Sequence, residues 1–210
     1  MELKNKKIVF LGDSITRGQG ASDPSLGYVN QFAAMTGAQV VNYGIGGTRI
    51  ARRLTPHEVE QFNHDFCGRF HLMDDDADMV VVFGGTNDFG GVEPTPLGQL
   101  EDRDLCTFYG ACHYLFSGLI AKYPDKPIIV MTPMHRVADW DKTPALRDYV
   151  RVIREVAEYY SLPVLDLWAN LGICPLVQEH KALYMLDNVH PNDAGHQKIA
   201  YTLKRFLENM

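Results

Sequence analysis

Five short apolar runs, each stopped by a glycine or a turn residue, constrain this chain more than any other feature. Ile8-Val9-Phe10-Leu11, in the run Lys7–Leu11, meets Gly12. Gln39–Tyr43 meets Gly44-Ile45-Gly46-Gly47, and Asp78–Phe83 meets Gly84-Gly85. Pro127–Met131 meets Thr132-Pro133, and Pro163–Leu167 is the last. Continuous apolar runs of this length, rich in valine and isoleucine, read as strands buried on both faces. Between them lie segments of helical spacing: Tyr28 to Met35, a polar stretch from Pro56 to Phe70, and roughly Leu105 to Lys122. Another is opened by Thr143 as N-cap and Pro144 at the first helical position. It carries Leu146, Tyr149, Val150, Ile153, Val156, Ala157 and Tyr160. The last runs from Asn192 or Asp193 through Ile199, Leu203 and Phe206. Strands alternating with helices predict an α/β fold, a three-layer α/β/α sandwich around a five-stranded parallel sheet. Nothing resembling a linker, a repeat or low complexity divides the sequence, so residues 1–210 are expected to form one domain.

Sheets of this kind build their sites at the carboxyl ends of the strands. Ser14, Gly47, Asn87 and the loop 132–143 fall there, and residues 89–102, rich in glycine and proline, form the longest loop-like stretch. Ser14 follows the first strand and is a candidate nucleophile. On that stretch alone, Asp13 and Ser14 serve equally well as a turn and a helix cap. Near the other end, Asp187 precedes His190 by three residues. Such a carboxylate can orient an imidazole and stabilise its charged form, or it can cap a turn. Acyl transfer needs a nucleophile, a base, a group that orients the base, and donors aimed at the developing oxyanion. Ser14, His190 and Asp187 supply the first three. The backbone of Gly47, the side-chain amide of Asn87 and the amide of Ser14 supply the donors.

These blocks resemble the SGNH hydrolases, the GDSL-type lipase/acylhydrolase family. Gly12-Asp13-Ser14-Ile15-Thr16 is similar to the nucleophile block, and Asn42-Tyr43-Gly44-Ile45-Gly46-Gly47 to the block whose last glycine donates to the oxyanion. Gly85-Thr86-Asn87-Asp88 matches G-x-N-D, and Asp187-Asn188-Val189-His190 matches D-x-x-H. Four blocks in this order span residues 12 to about 196. The resemblance implies a flavodoxin-like sheet of order 2-1-3-4-5 and a serine esterase that needs no metal or organic cofactor. It also suggests a supporting task for Asp13, for which a turn role stays open. One departure is Gly46-Gly47-Thr48-Arg49, where the family often has Gly-Asp-Thr after a serine: the donor glycine is kept, and Arg49 stands close by.

The substrate pocket is expected between the loops after strands three and four, with Phe89, Met134, His135, Arg136 and Trp140 around it and Arg49 at the rim. Trp140 and Met134 suit an acyl chain or a sugar ring, or merely the edge of the core. Long apolar lid segments are missing, which favours a small soluble ester, such as an O-acetylated sugar, over bulk lipid. An acyltransferase would use the same groups, and a non-catalytic binding module would keep the loops without the chemistry.

Other features point away from chemistry. His57, His64 and His71 recur every seven residues; on a helix they would lie ~10.5 Å apart along the axis, too far to share a metal. One solvated helix face is the expectation. Asp74 to Asp78 lacks the glycine and distal glutamate of a calcium loop and reads as a solvated turn. Asp13 lacks the second aspartate, two places on, of an aspartyl-phosphate phosphatase. His196 reads as structural. Cys67, Cys106, Cys112 and Cys174 show no C-x-x-C spacing and read as reduced, mostly buried thiols. A net charge of −6 argues against nucleic acid or an anionic membrane as partner. Lys4, Lys6 and Lys7 precede an apolar run far too short for a secretory signal, so a cytoplasmic location is expected. Nothing indicates the oligomeric state.

Overall fold

The computed structural model describes residues 2–90, 93–140 and 143–210. Residues 91–92 of the loop 89–102, and residues 141–142 of the loop 132–143, lie outside the described residues. Five parallel strands, β1 (Lys7–Gly12), β2 (Gln39–Gly44), β3 (Met79–Phe83), β4 (Ile128–Met131) and β5 (Val164–Leu165), lie side by side in the order β2-β1-β3-β4-β5. This is the architecture and the strand order expected from the sequence.

The period-two geometry of a strand explains why both faces are apolar. Val9, Leu11, Val80, Val82, Ile128 and Val130 point to one side, where they pack with α5 (Phe108–Lys122) and α6 (Leu146–Tyr159). Ile8, Phe10, Met79, Val81, Phe83, Ile129 and Met131 point to the other, against α2 (Tyr28–Thr36) and α9 (Asp193–Glu208). Each face has its own core: Phe108, Phe116, Tyr149 and Ile153 fill the first, and Tyr28, Phe32, Ile199 and Leu203 the second. β2 is an edge strand and half exposed. The register sets Gly12 beside Gly44 on one side and Phe83 on the other, with Met131 beside Phe83 and Leu165 beside Met131. All five strands therefore end on one line.

The structure corrects three sequence expectations. Pro56 to Phe70 is not one helix but a 3₁₀ turn (Glu60–Asn63) and one helical turn, α3 (Phe66–Arg69). Asn63 closes the preceding loop by accepting from the amide of His57 at 2.7 Å and donating to its carbonyl at 3.0 Å. Asp65 then caps α3 through the amide of Gly68. His57, His64 and His71 are thus exposed on separate pieces rather than on one helix face. The α6 helix starts two residues later than Thr143 and Pro144 predict. Asp148 reaches back to the amide of Ala145 at 2.9 Å and sets the start there. β5 is shorter than expected because Asp166 caps the short helix α7 (Leu167–Asn170).

The acidic stretch before β3 is a turn paired with lysines. Lys7 reaches Asp74 at 2.7 Å, Lys122 reaches Asp75, and Lys6 reaches Asp78 at 3.5 Å. Cys67 and Cys112 are buried, Cys106 and Cys174 half-buried, and all four are free thiols. Among the described residues there is no metal-binding cluster, and no helix is long and apolar enough to cross a membrane.

Candidate active site

The end of β1 dictates where Ser14 sits. A side chain at Gly12 would run into Thr16, so only glycine lets the chain turn this tightly. Asp13 accepts from the amide of Ile15 at 2.9 Å and caps one helical turn, α1 (Ser14–Arg17). Ser14 itself is 5% exposed. The partner loop lies between α8 (Gln178–Tyr184) and α9, closed by the amide of Leu186 donating to the carbonyl of His190 at 2.9 Å. Asp187 Oδ1 accepts the amides of Val189 and His190, each at 2.6 Å, and this frees Oδ2 for the ring. Oδ2 lies 2.8 Å from His190 Nδ1, and His190 Nε2 lies 3.0 Å from Ser14 Oγ. Burial pushes the Asp187 carboxyl up, but the His190 ring and the two amides outweigh it and hold it below the usual carboxylate range. An ionised acceptor at Oδ2 assigns the proton to Nδ1 and leaves Nε2 as an acceptor toward the serine.

The two loops are tied together away from the reacting atoms. Ser22 donates from its amide and its hydroxyl to the two oxygens of Asp193, both at 2.7 Å. His196 accepts from the amide of Tyr28 at Nδ1, 3.3 Å, which leaves Nε2 to donate to the carbonyl of Gln19 at 3.1 Å. Burial lowers the pKa of this histidine and favours that neutral form. The structural role expected of His196 is therefore to bind the chain after α1 to α9.

Gly47 and Asn87 end the neighbouring strands. Gly47 has φ of +78°, and a side chain there would strike the ring of Phe62. Asn87, in the helical turn α4 (Thr86–Phe89), donates from Nδ2 to the carbonyl of Thr48 at 2.9 Å. The other hydrogen of that amide stays available. Asp88 takes the amides of Ile50 and Ala51 at 2.9 and 3.0 Å, so the β3 end clamps the loop that carries Gly47. Burial raises the pKa of Asp88. Arg69 works from below: it donates to the carbonyls of Gly12 at 2.7 Å and Tyr43, and to Thr48 Oγ1 at 3.1 Å. Sequence reasoning missed Arg69 altogether, because it fell inside a stretch read as a solvated helix.

A cavity of about 550 Å³ opens beside Gly47 and Asn87. Its walls come from the loops after β2 and β3, including Arg49, Arg53, His57, Phe62 and Glu93, rather than from the loops after β3 and β4. Arg49 stands in this wall. Phe89 and Met134 are 1% and 3% exposed and pack into the two cores, so neither offers a surface to a ligand. His135 Nδ1 meets the fully buried Asp139 at 2.6 Å and its ring lies on Trp168. The Arg136 guanidinium covers the ring of Phe89 at 5.3 Å. Trp140 is half exposed with Arg147 over its face. This β4 loop adjoins the histidine loop, since the amide of Val137 donates to the carbonyl of Asn188 at 3.0 Å.

Asp13 carries a pH prediction. Burial pushes its carboxyl up to about 7 against the bond from Ile15. The folded protein then binds this proton more tightly than the unfolded chain, whose value is about 3.9. The stability it contributes is complete below about pH 4 and is lost as pH rises through 7, on the order of 4 kcal/mol in full. Thermal melts of wild type and Asp13→Asn should therefore show wild type losing ground to the variant from pH 4 to 8. A difference that is flat with pH would contradict this assignment.

The sequence model of the GDSL-like Lipase/Acylhydrolase family matches residues 10–198. One solved crystal structure is 35% identical, with 100% of this chain and 99% of that one covered at a TM-score of 0.86. A protein from Lactobacillus plantarum is 31% identical over 98% of both chains, TM-score 0.84. A structure described as a possible lipase from Chitinophaga pinensis has the same fold at 20% identity, covering 97% of this chain and 98% of that one, TM-score 0.71. No curated protein matches the sequence.

Proposed function

Since the chain belongs to the GDSL-like lipase/acylhydrolase family, we propose that it is a carboxylic ester hydrolase. It acts through an acyl-enzyme on Ser14, on short acyl groups in small soluble esters, O-acetylated ones included. The observation that carries this reading is the relay Asp187 Oδ2–His190 Nδ1 at 2.8 Å and His190 Nε2–Ser14 Oγ at 3.0 Å.

In the reaction, Nε2 of His190 takes the Ser14 proton as Oγ attacks the ester carbonyl. Asp187 stabilises the imidazolium that results and holds the ring in place. The tetrahedral oxyanion is met by the amides of Gly47 and Ser14 and by the free hydrogen of Asn87 Nδ2. Each such donor is worth about two to three orders of magnitude in kcat. His190 then returns the proton to the leaving alcohol, and water, deprotonated by the same ring, releases the acyl group. Asp88 and Arg69 do not touch substrate; they fix the loops from which the donors project.

The test is hydrolysis of p-nitrophenyl acetate, butyrate and octanoate. The expected order of kcat/KM is butyrate or acetate first and octanoate last, by about tenfold or more, because the cavity beside the donors is bordered by the polar and charged groups of Arg49, Arg53, His57, Glu58 and Glu93, which a long apolar chain would strip of water without offering a hydrogen bond in return. Preference for octanoate would overturn the short-acyl assignment, and absence of turnover by folded protein would overturn the esterase.

A further inference from the structure

The cavity beside Gly47 and Asn87 lies on one particular side of the relay. In acyl transfer the leaving alcohol must stay near the histidine that protonates it, while the carbonyl oxygen points into the donor pair. Gly47 and Asn87 line the cavity, and neither Ser14 nor His190 does. A group filling it therefore belongs to the acyl half of the ester.

Two guanidinium groups border that space. Arg49 is 5% exposed, spends its terminal nitrogens on the carbonyl of Glu93 at 2.6 Å and more distant partners, and keeps Nε buried without a hydrogen-bond partner among the described residues. Arg53 is half-buried and donates from Nε to the carbonyl of Phe62 at 3.2 Å. Among the described residues it forms no salt bridge, and Nε to Phe62 is the hydrogen bond it makes. Glu58 and Glu93 also border the cavity, yet neither pairs with Arg49 or Arg53 among the described residues, and Glu93 meets Arg49 through its backbone oxygen. Asp88 spends its oxygens on the amides of Ile50 and Ala51 and on Thr95. Burial pulls the Arg53 pKa down and the Arg49 charge pulls it further, while the Asp88 and Glu93 carboxylates act the other way from beyond hydrogen-bond distance and leave it lowered on balance. Two partly desolvated cations side by side favour an anion between or before them.

We propose that this cavity selects esters whose acyl group ends in a carboxylate, with Arg53 binding that carboxylate and Arg49 reinforcing it from the wall. The half-ester of a short dicarboxylic acid is the class that carries both groups this lining calls for, and the succinate half-ester is the probe. Its reacting carbonyl is for Gly47 and Asn87 and its free carboxylate for the arginines, all four of which border the one cavity. The inference rests on the esterase reading above and names the acyl half of its substrate.

The experiment compares ethyl hydrogen succinate with ethyl 4-methylpentanoate, in which an isopropyl group replaces the carboxylate at nearly the same size. Proton release gives kcat/KM for both in wild type, Arg53→Gln and Arg53→Lys. Wild type is expected to favour the charged ester by about tenfold or more, the equivalent of one hydrogen bond to a charged group. Arg53→Gln should erase that ratio, and Arg53→Lys should keep part of it. Calorimetric titration of ethyl hydrogen succinate into Ser14→Ala and Ser14→Ala/Arg53→Gln separates the pocket from the chemistry. Heat of binding in the first and not the second supports the proposal even when turnover is slow. A charged-to-neutral ratio at or below one, a ratio unmoved by Arg53→Gln, or no binding to Ser14→Ala overturns it. If no ester is turned over but the arginine-dependent binding remains, the esterase reading has failed and the anion pocket has not.

Discussion

Ser14→Ala should lower kcat for p-nitrophenyl acetate by about 10⁶-fold, the scale seen when a triad nucleophile is removed. The loss is this large because no other hydroxyl stands at hydrogen-bond distance from His190 Nε2 among the described residues. Donors and cavity survive in the variant but have no covalent intermediate to stabilise. The fold should be untouched: the serine hydroxyl's hydrogen bond is to the histidine, and the cap on α1 belongs to Asp13. The unfolding free energy should therefore stay within about 0.5 kcal/mol of wild type, the range of a neutral substitution. Residual turnover within tenfold of wild type would mean that the nucleophile lies elsewhere.

Asp187→Asn should cost about 10⁴-fold in kcat, with a much smaller change in KM. The asparagine oxygen can still accept the amides of Val189 and His190, so the loop keeps its shape. Its NH₂ group, however, then faces His190 Nδ1 and forces that nitrogen to accept. The ring proton moves to Nε2, where it confronts the serine with a donor instead of a base. Loss of the carboxylate also leaves the imidazolium uncompensated. A second sign follows from the lowered pKa of Asp187: its stabilising contribution is present at neutral pH and lost as pH falls through its folded value. The wild-type advantage in melting temperature over Asp187→Asn should shrink in acid. An advantage that grows in acid would contradict an ionised Asp187 held by the His190 ring and the two amides.

The sheet was legible because its signal is local and periodic. Ile8-Val9-Phe10-Leu11 and Met79-Val80-Val81-Val82-Phe83 are buried on both faces, and such runs carry their own mark. The strand order came from the resemblance carried by four motif blocks, not from any run. Ser14, Gly47, Asn87, Asp187 and His190 were singled out for the same reason, as short motifs at strand ends. The walls of the cavity were not legible. The loop from Gly47 to Asp65 is shaped by contacts distant in sequence, such as Asp88 to the amides of Ile50 and Ala51, and by Asn63 folding back on His57. Neither leaves periodicity in the sequence. Arg69 is the plainest case: a basic residue in a polar stretch reads as solvated, yet it is 8% exposed and joins the ends of β1 and β2. Phe89 and Met134 erred the other way, since a strand-end position says nothing about whether a side chain turns toward the ligand or the core.

Whether Ser14 is an activated nucleophile is decided by intact-mass analysis after exposure to a fluorophosphonate, with wild type and Ser14→Ala side by side. Attack by an activated serine predicts one adduct on wild type, located at Ser14 by peptide mapping, and none on the variant. Folded wild type that stays unlabelled, or an adduct of equal extent on Ser14→Ala, would mean that Ser14 is not the nucleophile.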